Sequence, residues 1–180
     1  MDEKQKLGRY LCYLLRHKPE SAGLTLDRYG YADAAELIEA VNRNPKYYLD
    51  WELLREIAAT DGKRRYQWNE AGDKIRACQG HSFAVDLELK PLVPPDVLYH
   101  GTPVKSVESI LQTGIRKCSR QYVHLSPDYE TAVKVGERRG RAAILLVESG
   151  RMHRDGFVFY RAGNGVWLTD FVPCEYINLI

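Results

Sequence analysis

Residues 50–79 read DWELLREIAATDGKRRYQWNEAGDKIRACQ, a helical pattern followed directly by two strand-like segments. Asp50 is a favourable N-cap for a helix that ends at residues 61–62. Residues 63–68 and 74–79 have the composition of strands, and the turn-forming segment NEAGD lies between them. This stretch therefore predicts one helix and then a β-hairpin.

Two further helices are predicted upstream of this stretch. Residues 3–17 carry leucines at helical spacing, which form one apolar stripe, and Pro19 ends this helix. After a short extended piece and a turn at residues 27–30, Asp33 caps a second helix that Pro45 closes. Three helices followed by a hairpin are the pattern of a winged-helix lobe.

Residues 85–95, VDLELKPLVPP, are rich in proline and hold three of the eight prolines in the chain. An extended, proline-rich segment is typical of a connection between lobes. We therefore expect a winged-helix-like lobe over residues 1–84, a linker over residues 85–95 and a second lobe over residues 96–180. The fold class predicted for the whole chain is α+β.

The second lobe is predicted to be mixed α/β with many strands. One helix, VKSVESILQT, ends before Gly114, which suits the position after a helix C-terminus. Another helix follows Ser126, which we expect to be its N-cap. The expected strands are VLYHG, YVHLS, AAILLVE, FVFYR and GVWLTDFV.

Composition narrows the possible classes of protein. The chain is 44% hydrophobic and 28% charged with a net charge of +2, which is ordinary for a soluble globular protein. No apolar run approaches the roughly 20 residues of a membrane helix, and the N-terminus lacks the pattern of a secretory signal. We therefore expect a cytoplasmic protein with no membrane partner.

Several nucleotide and metal motifs do not occur in the sequence. It contains no GxxxxGK[ST] loop, no GxGxxG after a first strand and no HExxH, and its four cysteines are too widely spread for a zinc site. An enzyme of this sequence that acts on phosphates would use arginines rather than a metal. The planar guanidinium fork binds phosphate oxygens in pairs.

Two polar clusters of the first lobe lie at the ends of predicted elements. Arg16 and His17 lie at the C-terminal end of the first helix, where the helix dipole favours cations. Residues 75–82, IRACQGHS, place Gln, His and Ser around a glycine, where the backbone can approach a ligand closely. A solvated helix end is the alternative interpretation of the first cluster, and the second is a weak signal by itself.

The predicted strand over residues 63–68 alternates its side chains between two faces. Arg64 shares one face with Tyr66 and Trp68, and this aromatic face is the better candidate for burial. Arg65 lies on the opposite, more polar face, where it is free to meet a ligand. An ordinary charged wing fits this segment equally well.

Two segments of the second lobe carry candidate ligand-binding residues. His100, Gly101 and Thr102 end a strand, and a glycine between two hydrogen-bonding side chains suits a planar amide or a ribose edge. A structural histidine beside a turn is the alternative. Arg120 lies just before the strand YVHLS, whose valine and leucine should point to the core while its tyrosine and histidine point away.

Together and in this order, the motifs resemble the RNA 2′-phosphotransferase (KptA) family over about residues 7–180. The resemblance implies an N-terminal winged-helix-like lobe and a C-terminal lobe like that of NAD-dependent ADP-ribosyltransferases. The matching segments are LGRYLCYLLRHKPESAGLTLDRYGYADAAEL, KRRYQW, IRACQGHS, LYHGT, ILQTGI, SRQYVHLS, AVKVGERRGRAAILLV and FYRAGNGVWLTDFVP.

The resemblance also implies an active-site tetrad of Arg, His, Arg and Arg. Matched by motif, Arg16 and His17 stand in LLRHKP, Arg65 stands in KRRYQ and Arg120 stands in SRQYVH. Arg64 is the rival for the third place. Arg65 is preferred because it directly precedes the aromatic residue, as in the family's motif, and because it lies on the more polar face of the predicted strand.

The NAD site implied by the resemblance includes His100, Gly101 and Thr102, which would contact the nicotinamide end and its ribose, with Ser126 nearby. One departure from the family pattern is Tyr122, which stands where the family usually has a histidine. The role of that position is therefore open.

The resemblance implies that an internal RNA 2′-phosphate is removed in two steps. The 2′-phosphate displaces nicotinamide from NAD, which gives an ADP-ribosylated 2′-phospho-RNA. The neighbouring ribose hydroxyl then attacks phosphorus, which releases 2′-OH RNA and ADP-ribose 1″,2″-cyclic phosphate. NAD is consumed, no metal is expected, and His17 either binds phosphate or transfers a proton. We expect a monomer whose partner is a tRNA-like RNA.

Two alternatives remain at this point. The first is an ADP-ribosyltransferase that acts on terminal phosphates of nucleic acids or on protein. Enzymes that act on protein usually carry a glutamate at the nicotinamide ribose, for which Glu175 is a weak candidate. The second alternative is a non-enzymatic module that binds RNA or phosphate.

Overall fold

The computed structural model describes residues 3–180, with the backbone alone at Arg139. The chain forms two compact units, one that ends at Glu88 and one that begins at Leu89. Each unit buries its own hydrophobic core. Across residues 3–180, no helix combines the length and the apolar character needed to cross a membrane.

Helices and one small sheet build the described part of the first unit. Its elements are α1 (Glu3–Arg16), β1 (Tyr31–Asp33), α2 (Ala34–Asn42), α3 (Trp51–Thr60), β2 (Tyr66–Trp68) and β3 (Lys74–Ala77). The strands are antiparallel and lie in the order β1-β3-β2. The apolar stripe of α1 enters the core, where Leu11, Leu14 and Leu15 are fully buried.

Local capping explains where α2 and α3 begin. The carboxylate of Asp33 accepts hydrogen bonds from the backbone nitrogens of Ala35 and Glu36, at 2.9 and 3.1 Å. Asp50 accepts one from the nitrogen of Leu53 at 2.8 Å. These contacts satisfy N–H groups that the first turn of a helix leaves without partners. The predicted helices, both caps and the hairpin are confirmed.

The prediction of a strand over residues 63–68 is wrong at its start, because the strand begins at Tyr66. Arg64 has a φ of 45°, and its backbone N–H donates to the carbonyl oxygen of Asp61 at 2.8 Å. Arg64 therefore lies in a turn, where the alternation of a strand does not apply. The shared face predicted for Arg64 with Tyr66 and Trp68 is accordingly wrong.

Strand β1 is an element that the local pattern did not predict. Its three residues pair antiparallel with β3, with Tyr31 opposite Arg76 and Asp33 opposite Lys74. Its partner is remote in sequence, so a tertiary contact rather than local propensity forms this strand. Strand β3 itself ends at Ala77, before its predicted end at residue 79.

The second unit is mixed α/β with small antiparallel sheets. The elements are β4 (Leu98–Pro103), α4 (Val107–Thr113), β5 (Ile115–Arg116), β6 (Val123–Leu125), α5 (Tyr129–Gly136), β7 (Ala142–Val147), α6 (Ser149–Arg154), β8 (Tyr160–Arg161), β9 (Trp167–Thr169), β10 (Phe171–Val172) and β11 (Ile177–Leu179). Two sheets have three strands, in the orders β11-β7-β4 and β6-β9-β8, and a third pairs β10 with β5. Helix α6 and strands β5 and β11 are additional to the predicted elements.

Helix α5 begins at a different cap from the one predicted. The carboxylate of Asp128, not the hydroxyl of Ser126, accepts a hydrogen bond from the backbone nitrogen of Thr131 at 2.7 Å. Ser126 instead pairs its backbone with Tyr99 through two hydrogen bonds of 2.7 and 2.9 Å. This pairing joins the end of β6 to β4.

Candidate functional site

The C-terminal end of α1 is held by a segment that returns from the hairpin. Ser82 donates its backbone N–H to the carbonyl oxygen of Arg16 at 2.9 Å, and its hydroxyl donates to the same oxygen at 3.3 Å. The Oγ atom of Ser82 also lies 3.2 Å from Nδ1 of His17. The tautomer of His17 sets which of these two atoms donates. Ser82 therefore fixes both the helix end and the His17 ring.

The guanidinium of Arg16 is turned partly into the first unit. Arg16 is half-buried, and its Nε and Nη2 atoms are buried with no hydrogen-bond partner within residues 3–180. Gly80 has a φ of 93°, and a Cβ atom there would lie 3.6 Å from the guanidinium. The backbone at Gly80 thus packs directly against this candidate phosphate ligand.

His81 is a buried histidine next to this cluster. Its side chain is 0% exposed, and neither ring nitrogen has a hydrogen-bond partner within residues 3–180. Burial, followed by the positive charges of Arg16, Arg76 and His17, lowers the pKa of His81 to about 4. The imidazole is therefore neutral near pH 7. The sequence marked its segment as polar but did not identify His81 as a site residue.

Arg65 is not free in the way that the strand alternation predicts. Its Nε atom lies 3.0 Å from both carboxylate oxygens of Asp61, and its Nη2 atom lies 2.5 Å from Asp61 Oδ1. Burial raises the pKa of the Asp61 carboxyl, but the hydrogen bonds from Arg65 outweigh it and hold that pKa below its ordinary value. The same contact raises the pKa of Arg65. Asp61 is a functional candidate that sequence reasoning missed.

Strand β4 carries His100, Gly101 and Thr102 in the second unit. The Nδ1 atom of His100 lies 3.1 Å from the carbonyl oxygen of His124 on β6. Since a carbonyl only accepts, Nδ1 carries the proton and Nε2 presents a lone pair when the ring is neutral. Burial is the main cause that lowers the pKa of His100, so the ring is neutral near pH 7.

Gly101 is required by packing within the second unit. A Cβ atom at this position would lie 1.8 Å from the carbonyl oxygen of Ala132 and 2.9 Å from the backbone nitrogen of Gly136, both on α5. The absence of a side chain therefore lets α5 lie directly on β4. The neighbouring Thr102 is 4% exposed, so it faces the interior.

Arg120 lies in the turn that precedes β6. Its side chain is exposed, and its backbone N–H donates to the carbonyl oxygen of Lys117 at 3.0 Å. Its positive charge contributes, after burial, to the lowered pKa of His100. On β6, Val123 and Leu125 are 2% and 1% exposed, so the prediction that they point to the core is confirmed.

The structure thus gathers the predicted residues into two groups. In the first unit, Ser82 contacts both Arg16 and His17. The carbonyl oxygen of Arg65 accepts a hydrogen bond from the backbone N–H of Cys78 at 2.8 Å, just beyond β3. In the second unit, His100 on β4 contacts the His124 carbonyl oxygen on β6, and Arg120 lies in the turn before β6. Over the described residues, no three His, Cys, Asp or Glu side chains form a set that could hold a metal ion.

Comparison with known proteins finds relatives along almost the whole chain. A family profile described as "RNA 2'-phosphotransferase, Tpt1 / KptA family" matches residues 2–171. A protein of Fusobacterium nucleatum is 49% identical over 179 residues, which cover 99% of each chain. A protein of Flavobacterium johnsoniae is 51% identical over 174 residues, which cover 97% of this chain and 95% of the relative. A protein of Streptomyces griseus is 46% identical over 188 residues, which cover 99% of each chain. All three carry the name "Probable RNA 2'-phosphotransferase".

Proposed function

The chain belongs to the RNA 2′-phosphotransferase (Tpt1/KptA) family, and we propose that it transfers an internal RNA 2′-phosphate to the ADP-ribose part of NAD. The observation that carries the proposal is the match over residues 2–171, because it extends into both units and includes every residue assigned to phosphate or NAD. The proposed products are nicotinamide, 2′-OH RNA and ADP-ribose 1″,2″-cyclic phosphate. The proposed substrate is a tRNA-like RNA.

The two units have distinct roles in this proposal. The first unit is a winged-helix-like lobe that binds RNA phosphate, and the second is an ADP-ribosyltransferase-like lobe that binds NAD. Support for the first assignment comes from the element order α1-β1-α2-α3-β2-β3 and from the antiparallel sheet β1-β3-β2. Support for the second comes from the histidine-bearing strand β4 and its neighbours.

The first proposed step needs orientation of an anion and no deprotonation. An oxygen of the RNA 2′-phosphate attacks the ribose carbon that carries nicotinamide. The bond from this carbon to nitrogen breaks, and its electron pair leaves with neutral nicotinamide. Arg16, His17, Arg65 and Arg120 bind and orient the phosphate, because guanidinium forks match its oxygens in pairs.

The second proposed step needs charge stabilisation and one proton. The adjacent ribose hydroxyl gives up its proton as it attacks phosphorus, the bond from phosphorus to the RNA 2′-oxygen breaks, and that oxygen takes up a proton, so no net proton is consumed. Arginines stabilise the charge that develops on the phosphate oxygens. His17, whose ring is held by Ser82 at 3.2 Å, either binds this phosphate or delivers the proton.

Residues of β4 and β6 fit the ribose of NAD. The neutral ring of His100 holds its Nδ1 proton on the His124 carbonyl, so Nε2 is suited to accept a hydrogen bond from a ribose hydroxyl. We assign NAD contacts to His100, Gly101, Thr102 and Ser126, of which Ser126 is paired with β4 through Tyr99. NAD supplies the ADP-ribose that receives the phosphate.

Nicotinamide release tests the proposal and separates it from its rivals. The protein is incubated with NAD and either a 2′-phosphorylated RNA or the same RNA with a 2′-hydroxyl. We expect release of nicotinamide with the phosphorylated RNA only. Label from adenylate-labelled NAD that remains on protein, with the RNA unprocessed, would identify a protein ADP-ribosyltransferase. No release with either RNA would identify a module that binds RNA or phosphate without catalysis.

A further inference from the structure

The buried side of Arg16 and the ring of His81 form a polar cluster that the proposed reaction does not use. Arg16 offers Nε–H and Nη2–H groups, and these nitrogens are buried without a hydrogen-bond partner within residues 3–180. The ring of His81 is 0% exposed, and both of its nitrogens are likewise buried without a hydrogen-bond partner within residues 3–180. Buried polar groups are normally hydrogen-bonded, because each loses its hydration on folding.

The donors and acceptor in this cluster are complementary. The guanidinium of Arg16 only donates, whereas a neutral imidazole has one nitrogen that accepts. The lowered pKa of His81 keeps its ring neutral and so preserves this acceptor. No direct hydrogen bond joins the two side chains. The Arg16 guanidinium lies against the residue before His81, since a Cβ atom at Gly80 would lie 3.6 Å from it. A water between the two side chains would accept from Arg16 and donate to His81.

The surroundings of His81 are polar only on the side of the candidate site. Arg16 and His17 face it from the end of α1, and Arg76 faces it from β3. On other sides it contacts uncharged groups: the ring of Phe83 at 5.6 Å and the position of Gly30, where a Cβ atom would lie 3.4 Å from Nε2. Among the described residues, the charged groups that act on His81 are therefore those of Arg16, His17 and Arg76.

We propose that His81 is a positioning residue for Arg16, which it orients through one buried water that accepts from Arg16 and donates to His81. The role of this contact in catalysis rests on the proposed function, whereas the contact itself does not. Fixing Nε and Nη2 of Arg16 on the buried side leaves the rest of the fork directed outward to the phosphate. His81 itself touches no substrate.

A substitution that removes only the ring nitrogens tests this role. His81→Phe keeps an aromatic ring and leaves no buried acceptor. We expect kcat to fall about 10- to 100-fold because Arg16 loses its orientation. The melting temperature should stay close to that of the wild type, because Phe removes one unsatisfied buried nitrogen together with the one that the proposed water contact satisfies. His81→Gln, which restores an acceptor, should recover part of the lost kcat, and the KM for NAD should not change.

His153→Phe is the matched control, because His153 also has a buried ring nitrogen without a partner but lies on α6 of the second unit. It should keep the wild-type kcat. A folded His81→Phe protein with a kcat within about twofold of the wild type would overturn the proposal. If His81→Phe does not fold, a folded His81→Gln protein that shows no more activity than an Arg16→Ala protein would overturn it as well.

A spectroscopic measurement on the wild type separates this proposal from the proposed function. The Nε–H proton of Arg16, assigned by comparison with Arg16→Lys, should exchange with solvent much more slowly than that of the exposed Arg55. His81 should show a neutral ring at pH 7 with one protonated nitrogen. Exchange at the rate of Arg55 would contradict the buried contact, whether or not the protein releases nicotinamide.

Discussion

The carboxylate of Asp61 holds the guanidinium of Arg65 by its Nε and Nη2 atoms, at distances of 3.0 and 2.5 Å. Asp61 also accepts the backbone N–H of Arg65 at 2.6 Å, and its own side chain is 5% exposed. The pair therefore fixes both the backbone and the side chain of Arg65. Asp61 accepts from two N–H groups of the guanidinium. The other N–H groups, on Nη1 and Nη2, form a pair of donors suited to a phosphate.

Asp61→Asn should lower kcat about 10-fold or more, because an amide cannot hold both Nε and Nη2 of Arg65 and a loosened fork loses its orientation. Arg65→Lys should not recover activity, since an ammonium has no fork. Steady-state kinetics with 2′-phospho-RNA measure both variants. Asp170→Asn is the control, because Asp170 forms an exposed ion pair with Lys117. An Asp61→Asn protein as active as this control would show that the pair has no part in catalysis.

Arg65→Ala and Arg120→Ala should each raise the activation free energy by roughly 2–4 kcal/mol if each arginine stabilises charge in the transition state. If both act on one phosphate, the double variant should lose less than the sum of the two single losses. Single-turnover rates measure the three variants. A single variant with near wild-type turnover would remove that residue from the tetrad, and strictly additive losses would assign the two arginines to separate tasks.

Gly101→Ala should destabilise the second unit by about 3 kcal/mol or more, because the new methyl group would overlap backbone atoms of α5 that cannot move aside. Thermal unfolding followed by circular dichroism measures the loss. Gly163→Ala in the same unit is the control, since nothing lies within 4 Å of a Cβ atom there. Equal melting temperatures for the two variants would contradict the close contact between β4 and α5.

The stability of the protein should depend on pH through His81. The folded pKa of His81 is about 4 and its ordinary value is 6.5, so between these values the unfolded chain binds a proton that the folded chain does not. The free energy of unfolding should therefore fall as the pH drops through this window, by up to about 3 kcal/mol from this group. Urea unfolding at pH 7.5 and pH 4.5 measures the effect. His81→Phe should lose less stability than the wild type over this interval, and an identical loss would contradict the buried neutral ring.

Local signals in the sequence predicted the elements whose ends are set by neighbouring residues. Asp33 and Asp50 cap the helices that directly follow them, so pattern and structure agree there. Ser126 also has a side-chain oxygen that could cap a helix. Its backbone is instead hydrogen-bonded to Tyr99, and Asp128 caps the helix that follows. Only a tertiary contact distinguishes these cases, and short-range pattern does not contain it.

The same limit applies to the candidate site. Motif order predicted Arg16, His17, Arg65 and Arg120 as site residues, because these residues stand in recognisable segments. The side chain that holds Arg65 comes from Asp61, across a turn that the predicted strand did not include. A carboxylate four residues before an arginine is a signal that would have identified this pair, had a turn been considered in place of the strand.

The proposed transfer of the RNA 2′-phosphate to ADP-ribose is tested best by following the phosphate itself. An RNA with a single radiolabelled internal 2′-phosphate is incubated with the protein and NAD, and the labelled products are separated. We expect that all label lost from RNA appears in ADP-ribose 1″,2″-cyclic phosphate, with one nicotinamide released for each phosphate and with no transfer when NAD is omitted. Label that stays on RNA, or that appears as inorganic phosphate without NAD, would contradict it.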